Sequence, residues 1–273
     1  MSSRKLTVSD IVGMKGKEKI AALTAYDYTS AKFVDRAGID LVLVGDSASM
    51  VIFGHDSTRY IGMDEMLMLT EVVARTVKRA LVVADLPFMS VHLSKEKALE
   101  NAFKLIRAGA DAVKMEWFDG CLEKARAIVN AGIPLVGHIG FTPQLSDMWT
   151  WRRRRGVDEE GVEELLREAK GFEEAGAFSV VLEMVSVEGS KRITESLSIP
   201  TIGIGSGPYC DGQILVYHDV LGLYEEFKPR FVKRYLELAT TITEALKEYV
   251  SDVKEGRFPS EEHSFHMKSE RKE

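Results

Sequence analysis

Amides are almost missing from this sequence. Asn101, Asn130, Gln144 and Gln213 are the only four in 273 residues, beside 36 Lys or Arg and 42 Asp or Glu. Few thermolabile amides with many ion-pairing side chains is a heat-adapted composition. Cysteine is just as scarce. Cys121 and Cys210 offer no disulfide framework and suit a reducing compartment. No apolar run reaches the ~18 residues of a membrane span, and the N-terminus lacks a signal-peptide apolar region. A cytoplasmic protein is therefore expected. A net charge of −6 argues against a general binder of nucleic acid or anionic membrane. There is no Cys/His cluster to invite zinc. No Gly-x-Gly-x-x-Gly follows an early strand, so the dinucleotide-binding fingerprint is absent.

What the chain does have is a recurring strand that ends on an acid. Leu41-Val-Leu-Val44 is a continuous apolar run bounded by Gly45 and followed by Asp46-Ser47. Such a run reads as a strand buried on both faces, as in a parallel sheet. Leu81-Val-Val-Ala-Asp85 and Ala112-Val-Lys-Met-Glu116 repeat the pattern. Further strands are read at Ile20–Thr24, Leu135–Ile139, Ser179–Glu183, Pro200–Ile204 and Ile214–His218, with helices between the first seven strands. Ala-Gly at 37–38, 108–109, 131–132 and 175–176 closes a helical pattern each time, as a left-handed C-terminal glycine does. A long closing helix is read from Pro229 to Val253. Eight strand–helix alternations without a linker predict one (β/α)8 barrel over 1–273, α/β in class. A short helix within Thr7–Lys15 precedes it, a helical extension closes it, and 267–273 forms a disordered tail. An open doubly wound sheet is the alternative.

In a closed parallel barrel the strand C-terminal ends share one mouth, where chemistry sits. Asp46, Asp85 and Glu116 would meet there. Any one alone reads better as a helix cap; together they fit a hard cation, Mg²⁺ most naturally. Lys114 lies two residues before Glu116, so strand alternation puts both on one face. It is either a barrel-interior ion pair or a cation for a substrate carboxylate or enolate. His138 ends one strand as a satisfied polar group or a substrate contact. Glu183 ends the next, furthest from the acid cluster, as the natural free base. The Gly203-Ile-Gly-Ser-Gly207 stretch is a weak phosphate-loop signal or only a tight turn. Trp151-Arg-Arg-Arg-Arg155 reads as a solvated or subunit-facing loop rather than a nucleic-acid patch.

The chain resembles the ketopantoate hydroxymethyltransferase family. Matching segments are Leu23-Thr-Ala-Tyr-Asp27, Val44-Gly-Asp-Ser47, Gly54-His-Asp-Ser-Thr58, Ala84-Asp-Leu-Pro-Phe88, Val113-Lys-Met-Glu116 and Gly137-His138. Val181-Leu-Glu183, Ile202-Gly-Ile-Gly205, Asp211-Gly-Gln213 and Glu262-His-Ser-Phe265 follow in colinear order. The resemblance implies an Mg²⁺-dependent (β/α)8 enzyme of pantothenate and coenzyme A biosynthesis. Its one-carbon unit would pass from 5,10-methylenetetrahydrofolate, or a related pterin, to C3 of 3-methyl-2-oxobutanoate through a metal-stabilised enolate, giving 2-dehydropantoate. By position Asp46 and Asp85 resemble metal ligands, with Glu116 completing the shell directly or through water. Asp46, Ser47, Asp85, Lys114 and His138 then surround the oxoacid, and Glu183 is the base. The resemblance also implies a homo-oligomer, a decamer, with no nucleic-acid or membrane partner. Two loops depart from the family pattern: Trp149–Arg155, and Arg59-Tyr60 in place of Leu-Pro. Both bear on the pterin donor. The enzyme alternative is an Mg-dependent 2-oxoacid lyase or mutase of the phosphoenolpyruvate mutase/isocitrate lyase type.

Overall fold

The computed structural model describes residues 4–145 and 155–267. The expectations for 149–154 and for 268–273 therefore lie outside the described residues. The chain divides into two compact units: residues up to Tyr217 with Pro229–Val232, and His218–Lys228 with the residues from Lys233 onward.

The first unit is a closed barrel of eight parallel strands paired in sequence order, with β8 returning to β1. The strands are β1 (Ile20–Thr24), β2 (Leu41–Val44), β3 (Leu81–Asp85), β4 (Ala112–Glu116), β5 (Leu135–Gly140), β6 (Ser179–Glu183), β7 (Thr201–Ile204) and β8 (Gly212–Leu215). Before and between them run α1 (Val8–Met14), α2 (Tyr28–Arg36), α3 (Ala48–Val51), α4 (Met63–Thr76), α5 (Lys95–Arg107), α6 (Cys121–Asn130), α7 (Glu159–Glu174) and α8 (Val187–Ser196). Alternate residues fill the interior: Ile20 and Ala22, Leu41 and Leu43, Leu81 and Val83, then Ala112, Val136, Val181, Ile202 and Ile214. The helix α1 closes one end. Thr7 and Asp10 form its capping box, and Ile11 enters the interior cluster fully buried.

Local chemistry explains the helices. Ser94 Oγ accepts from Lys97 N at 3.1 Å and starts α5. That helix buries Ala98, Asn101, Ala102 and Leu105, one stripe at helical spacing. Ala37, Ala108, Ala131 and Ala175 end α2, α5, α6 and α7. The following glycines take φ of +87°, +104°, +85° and +93°, conformations that a side chain would strain.

Two expectations need correction, and the β7–β8 connection differs from the others. No helix joins β7 to β8: residues 205–211 make the connection, and Asp211 binds Thr201 N at 2.9 Å and Lys15 Nζ at 2.8 Å. The last strand starts at Gly212 and stops at Leu215, because Tyr217 N turns to Thr24 Oγ1 at 2.9 Å and begins the short α9 (Tyr217–Val220). The closing helix α10 spans Leu238–Lys254, not Pro229 onward, since Val232 N closes a turn on Pro229 O at 3.0 Å. In the second unit α10 buries no residue. Glu261–His263 forms a 3-10 turn there, beside a fully exposed Phe265.

Candidate active site

The interior face of each strand, followed past its last apolar residue, reaches a polar side chain. Leu81 and Val83 lead to Asp85, Ala112 to Lys114 and Glu116, Val136 to His138, and Val181 to Glu183. Register brings them together: Asp85 is opposite Lys114, and Glu116 is opposite His138. Asp46 and Ser47 follow β2 at the same end. Asp46, Asp85, Lys114, Glu116 and His138 are all at most 5% exposed. Every site residue expected from sequence therefore lies at one mouth.

The contacts form a continuous network. Asp85 Oδ2 accepts from Asp46 N at 3.0 Å, and Asp85 Oδ1 pairs with the Lys114 ammonium. Lys114 Nζ is 3.3 Å from His138 Nδ1. His138 Nδ1 faces Glu116 Oε1 at 3.5 Å, and His138 Nε2 stands 3.1 Å from Glu183 Oε2, though off the line of a hydrogen bond. Ser47 Oγ meets the Tyr26 hydroxyl at 2.8 Å. Gly45 is required here, because a Cβ would lie 2.8 Å from Ser47 Oγ.

Buried charge shapes the titration. Burial, with Asp85 and Glu116 close by, raises the Asp46 carboxyl well above the ordinary carboxylate range. Burial opposes the charge on Lys114, but Asp85, Asp46 and Glu116 outweigh it and raise the ammonium's pKa. Burial and Lys114 also push His138 down; Glu116 and Glu183 prevail and lift it to about 9.

Asp46, Asp85 and Glu116 bring three buried carboxyl groups to one mouth, beside Lys114 and His138. The donors are hard oxygens, which fits Mg²⁺. Among the described residues no three His, Cys, Asp or Glu side chains are arranged to hold an ion by themselves. The set that fits is two carboxylates with oxygens from water and substrate, the usual manner of Mg²⁺.

A family model described as ketopantoate hydroxymethyltransferase matches residues 5–261. The chain belongs to the ketopantoate hydroxymethyltransferase family. The 3-methyl-2-oxobutanoate hydroxymethyltransferase of Pyrococcus abyssi is 54% identical over 95% of this chain and 92% of its own. Its namesake from Nitrosopumilus maritimus is 50% identical over 97% and 95%. The fold extends further than the sequence. A phosphoenolpyruvate phosphomutase from Streptomyces platensis subsp. rosaceus superposes with a TM-score of 0.64 at 13% identity, over 92% of this chain and 88% of its own. A 2,3-dimethylmalate lyase of the phosphoenolpyruvate mutase/isocitrate lyase superfamily gives 0.61 at 17%, over 95% and 92%. The lyase or mutase alternative thus shares the barrel, while the hydroxymethyltransferase family shares the sequence.

For this hydroxymethyltransferase family member, sequence reasoning missed two residues at the mouth. Tyr26 lies in a quoted segment but was given no role; it positions Ser47. Gln144 donates from Nε2 to Asp46 Oδ2 at 2.8 Å, and its backbone N–H reaches Glu116 Oε2 at 3.1 Å. Its scarcity was the available signal, as one of four amides. The Gly205–Gly207 loop is a packed turn: Ser206 Oγ donates to Leu182 O at 2.8 Å and accepts from Val185 N at 3.1 Å. The Ser206 hydroxyl is thereby tied to β6 and to Val185 just beyond it. At the departing Arg59-Tyr60 pair, the Arg59 guanidinium lies 4.4 Å from the Phe88 ring centroid, and Tyr60 is exposed.

Proposed function

We propose that the protein transfers a hydroxymethyl group from 5,10-methylenetetrahydrofolate, or a related pterin, to C3 of 3-methyl-2-oxobutanoate. The product is 2-dehydropantoate. The observation that carries this reading is the single network of buried Asp46, Asp85, Lys114, Glu116 and His138 with partly buried Glu183 at the strand C-terminal ends. Asp46 and Asp85 would hold Mg²⁺, with Glu116 engaged directly or through water. Bound there, the cation supplies Lewis acidity to the carboxylate and keto oxygens of a 2-oxoacid.

The protein's own groups do the rest. Lys114 presents positive charge to the oxoacid and to the negative charge that develops as C3 loses its proton. Glu183 is only partly buried, and accepts that proton. His138 stands between Lys114 and the carboxylates of Glu116 and Glu183, which raise its pKa, and its Nε2 lies 3.1 Å from Glu183 Oε2. Ser47, set by Tyr26, contacts the oxoacid.

Aromatic rings pack near the acid cluster. His92 stacks on Phe118, with centroids 4.1 Å apart and planes 22° from parallel, and Phe88 packs edge-on at 5.5 Å. Burial lowers the His92 pKa, so the ring is neutral at pH 7.

A homo-oligomer is also proposed. The helix α10 leaves Ile242, Leu246, Tyr249 and Val253 from 42% to 59% exposed, an apolar stripe at helical spacing. The test of function is direct. Purified protein with Mg²⁺, 3-methyl-2-oxobutanoate and methylenetetrahydrofolate should form 2-dehydropantoate. Carbon–carbon cleavage of an oxoacid without any pterin would favour a lyase instead.

A further inference from the structure

Gln144 is 2% exposed, one of four amides in the chain, and its contacts all point to the acid cluster. Its Nε2 donates to two acceptors at once, Asp46 Oδ2 at 2.8 Å and Leu86 O at 3.1 Å. Two acceptors require the nitrogen on that side, which fixes the amide's orientation. Its backbone N–H donates to Glu116 Oε2 at 3.1 Å. A single residue therefore occupies one oxygen on each of two carboxylates and leaves Asp46 Oδ1 outside its reach, while Glu116 Oε1 faces His138 Nδ1 at 3.5 Å. Leu86 directly follows Asp85, so the bond to Leu86 O also ties the β5 loop to the strand that delivers the third acid.

We propose that Gln144 is a positioning residue that selects which oxygen of Asp46 faces the divalent cation. This rests on the cation site proposed above. An ionised carboxylate with both oxygens free can rotate about its last bond and present either one. A donor on one oxygen removes that freedom and shifts the carboxylate toward its charged form. Outer-shell donors of this kind typically change metal affinity by roughly 10- to 100-fold when removed. The leucine carbonyl gives the amide a second anchor, so the donor itself does not swing.

The test uses the full-length protein without substrate, titrated with Mn²⁺ and followed by electron paramagnetic resonance of the free ion. Gln144→Met keeps length and burial, removes both side-chain bonds and leaves the backbone bond to Glu116. It should weaken Mn²⁺ binding by about 10- to 100-fold. Gln144→Glu keeps the shape, adds negative charge and places an acceptor where a donor is needed. It should also weaken binding, whereas charge alone would strengthen it. Should the Met variant not fold, the Glu variant decides by itself. A merely structural Gln144 would lower the melting temperature and leave Mn²⁺ affinity at the parent value. That result, or tighter binding in Gln144→Glu, overturns the role. A parent that binds no Mn²⁺ overturns the cation site and this role together, whereas a parent that binds, with variants equal to it, overturns only the role of Gln144.

Discussion

Asp85 and Lys114 are opposite each other in the β3–β4 ladder, and their side chains form an ion pair with exposures of 2% and 6%. An isolated charge at that depth is costly, so each group requires the other. The pair is also where a substrate carboxylate or a developing enolate finds its positive charge. Stability and catalysis therefore meet in one contact.

Lys114→Ala should raise the KM for the oxoacid and lower kcat together, because the same charge serves ground and transition states. It should also destabilise the fold by about 3–5 kcal/mol, since Asp85 loses its partner while still buried. Kinetics and thermal melting of the variant check both. A variant that melts and turns over like the parent would make Lys114 a bystander.

Removing the divalent cation with a chelator should abolish turnover, and added Mg²⁺ should restore it. Asp85→Asn should lose oxoacid binding that depends on the metal, since an amide supplies no negative charge to the cation. Calorimetric titration of the oxoacid with and without Mg²⁺ reads this directly. Full activity in excess chelator would remove the metal from the reaction.

The strand-borne part of the site was legible because period-two alternation continues from the apolar interior into the acids. Once Leu81 and Val83 point inward, so must Asp85; once Ala112 does, so must Lys114 and Glu116. The glycine-ended helices were legible for the same kind of reason, a residue type tied to one backbone conformation. Loop-borne residues carry no such period. Gln144 sits in a 3-10 turn after β5, and nothing in its neighbours' pattern aims it at Asp46. The last strand was less legible, because its apolar run, Ile214-Leu-Val-Tyr217, points to 214–218. The actual strand begins at Gly212, where a Cβ would lie 2.7 Å from the Ile20 carbonyl oxygen, a fit that only the three-dimensional contact reveals.

Arg155 Nη1 donates to Glu168 Oε2 at 3.0 Å, and the Glu168 side chain is 5% exposed. Burial raises the Glu168 carboxyl to about 7, with Arg155 working against the rise. A carboxyl whose folded pKa is raised binds more protons folded than unfolded, so its stabilising contribution is complete below the ordinary 4.5 and is lost as pH rises through 7. Arg155→Leu removes the counter-charge. The loss of stability should reach about 3–5 kcal/mol at pH 8, where Glu168 is ionised and buried, and be clearly smaller at pH 5. Melting at the two pH values checks this, and Arg155→Leu with Glu168→Leu should recover most of the loss. Equal losses at both pH values would rule out the charge explanation.

The most discriminating experiment concerns half of the reaction. Glu183 stands 3.1 Å from His138 Nε2 and is the only strand-borne acid of the network with appreciable exposure, its side chain 14% open. If Glu183 takes the C3 proton, it needs the oxoacid and the cation but not the pterin. The protein should therefore exchange the C3 proton of 3-methyl-2-oxobutanoate with D₂O when Mg²⁺ is present and the donor is absent. Glu183→Gln keeps the shape but accepts no proton, so exchange should fall by about 10²–10⁴-fold with oxoacid binding nearly intact. Asp85→Asn should lose binding and exchange together, which separates a missing base from a missing binding site. Proton NMR follows the exchange without any coupled assay. Undiminished exchange in Glu183→Gln would move the base to another group. His138 would then be the next candidate, acting from its neutral form, which is easier to reach once the Glu183 charge that helps raise its pKa is gone. No exchange in the parent would mean that proton removal waits for the donor, and the stepwise order of deprotonation before transfer would fall.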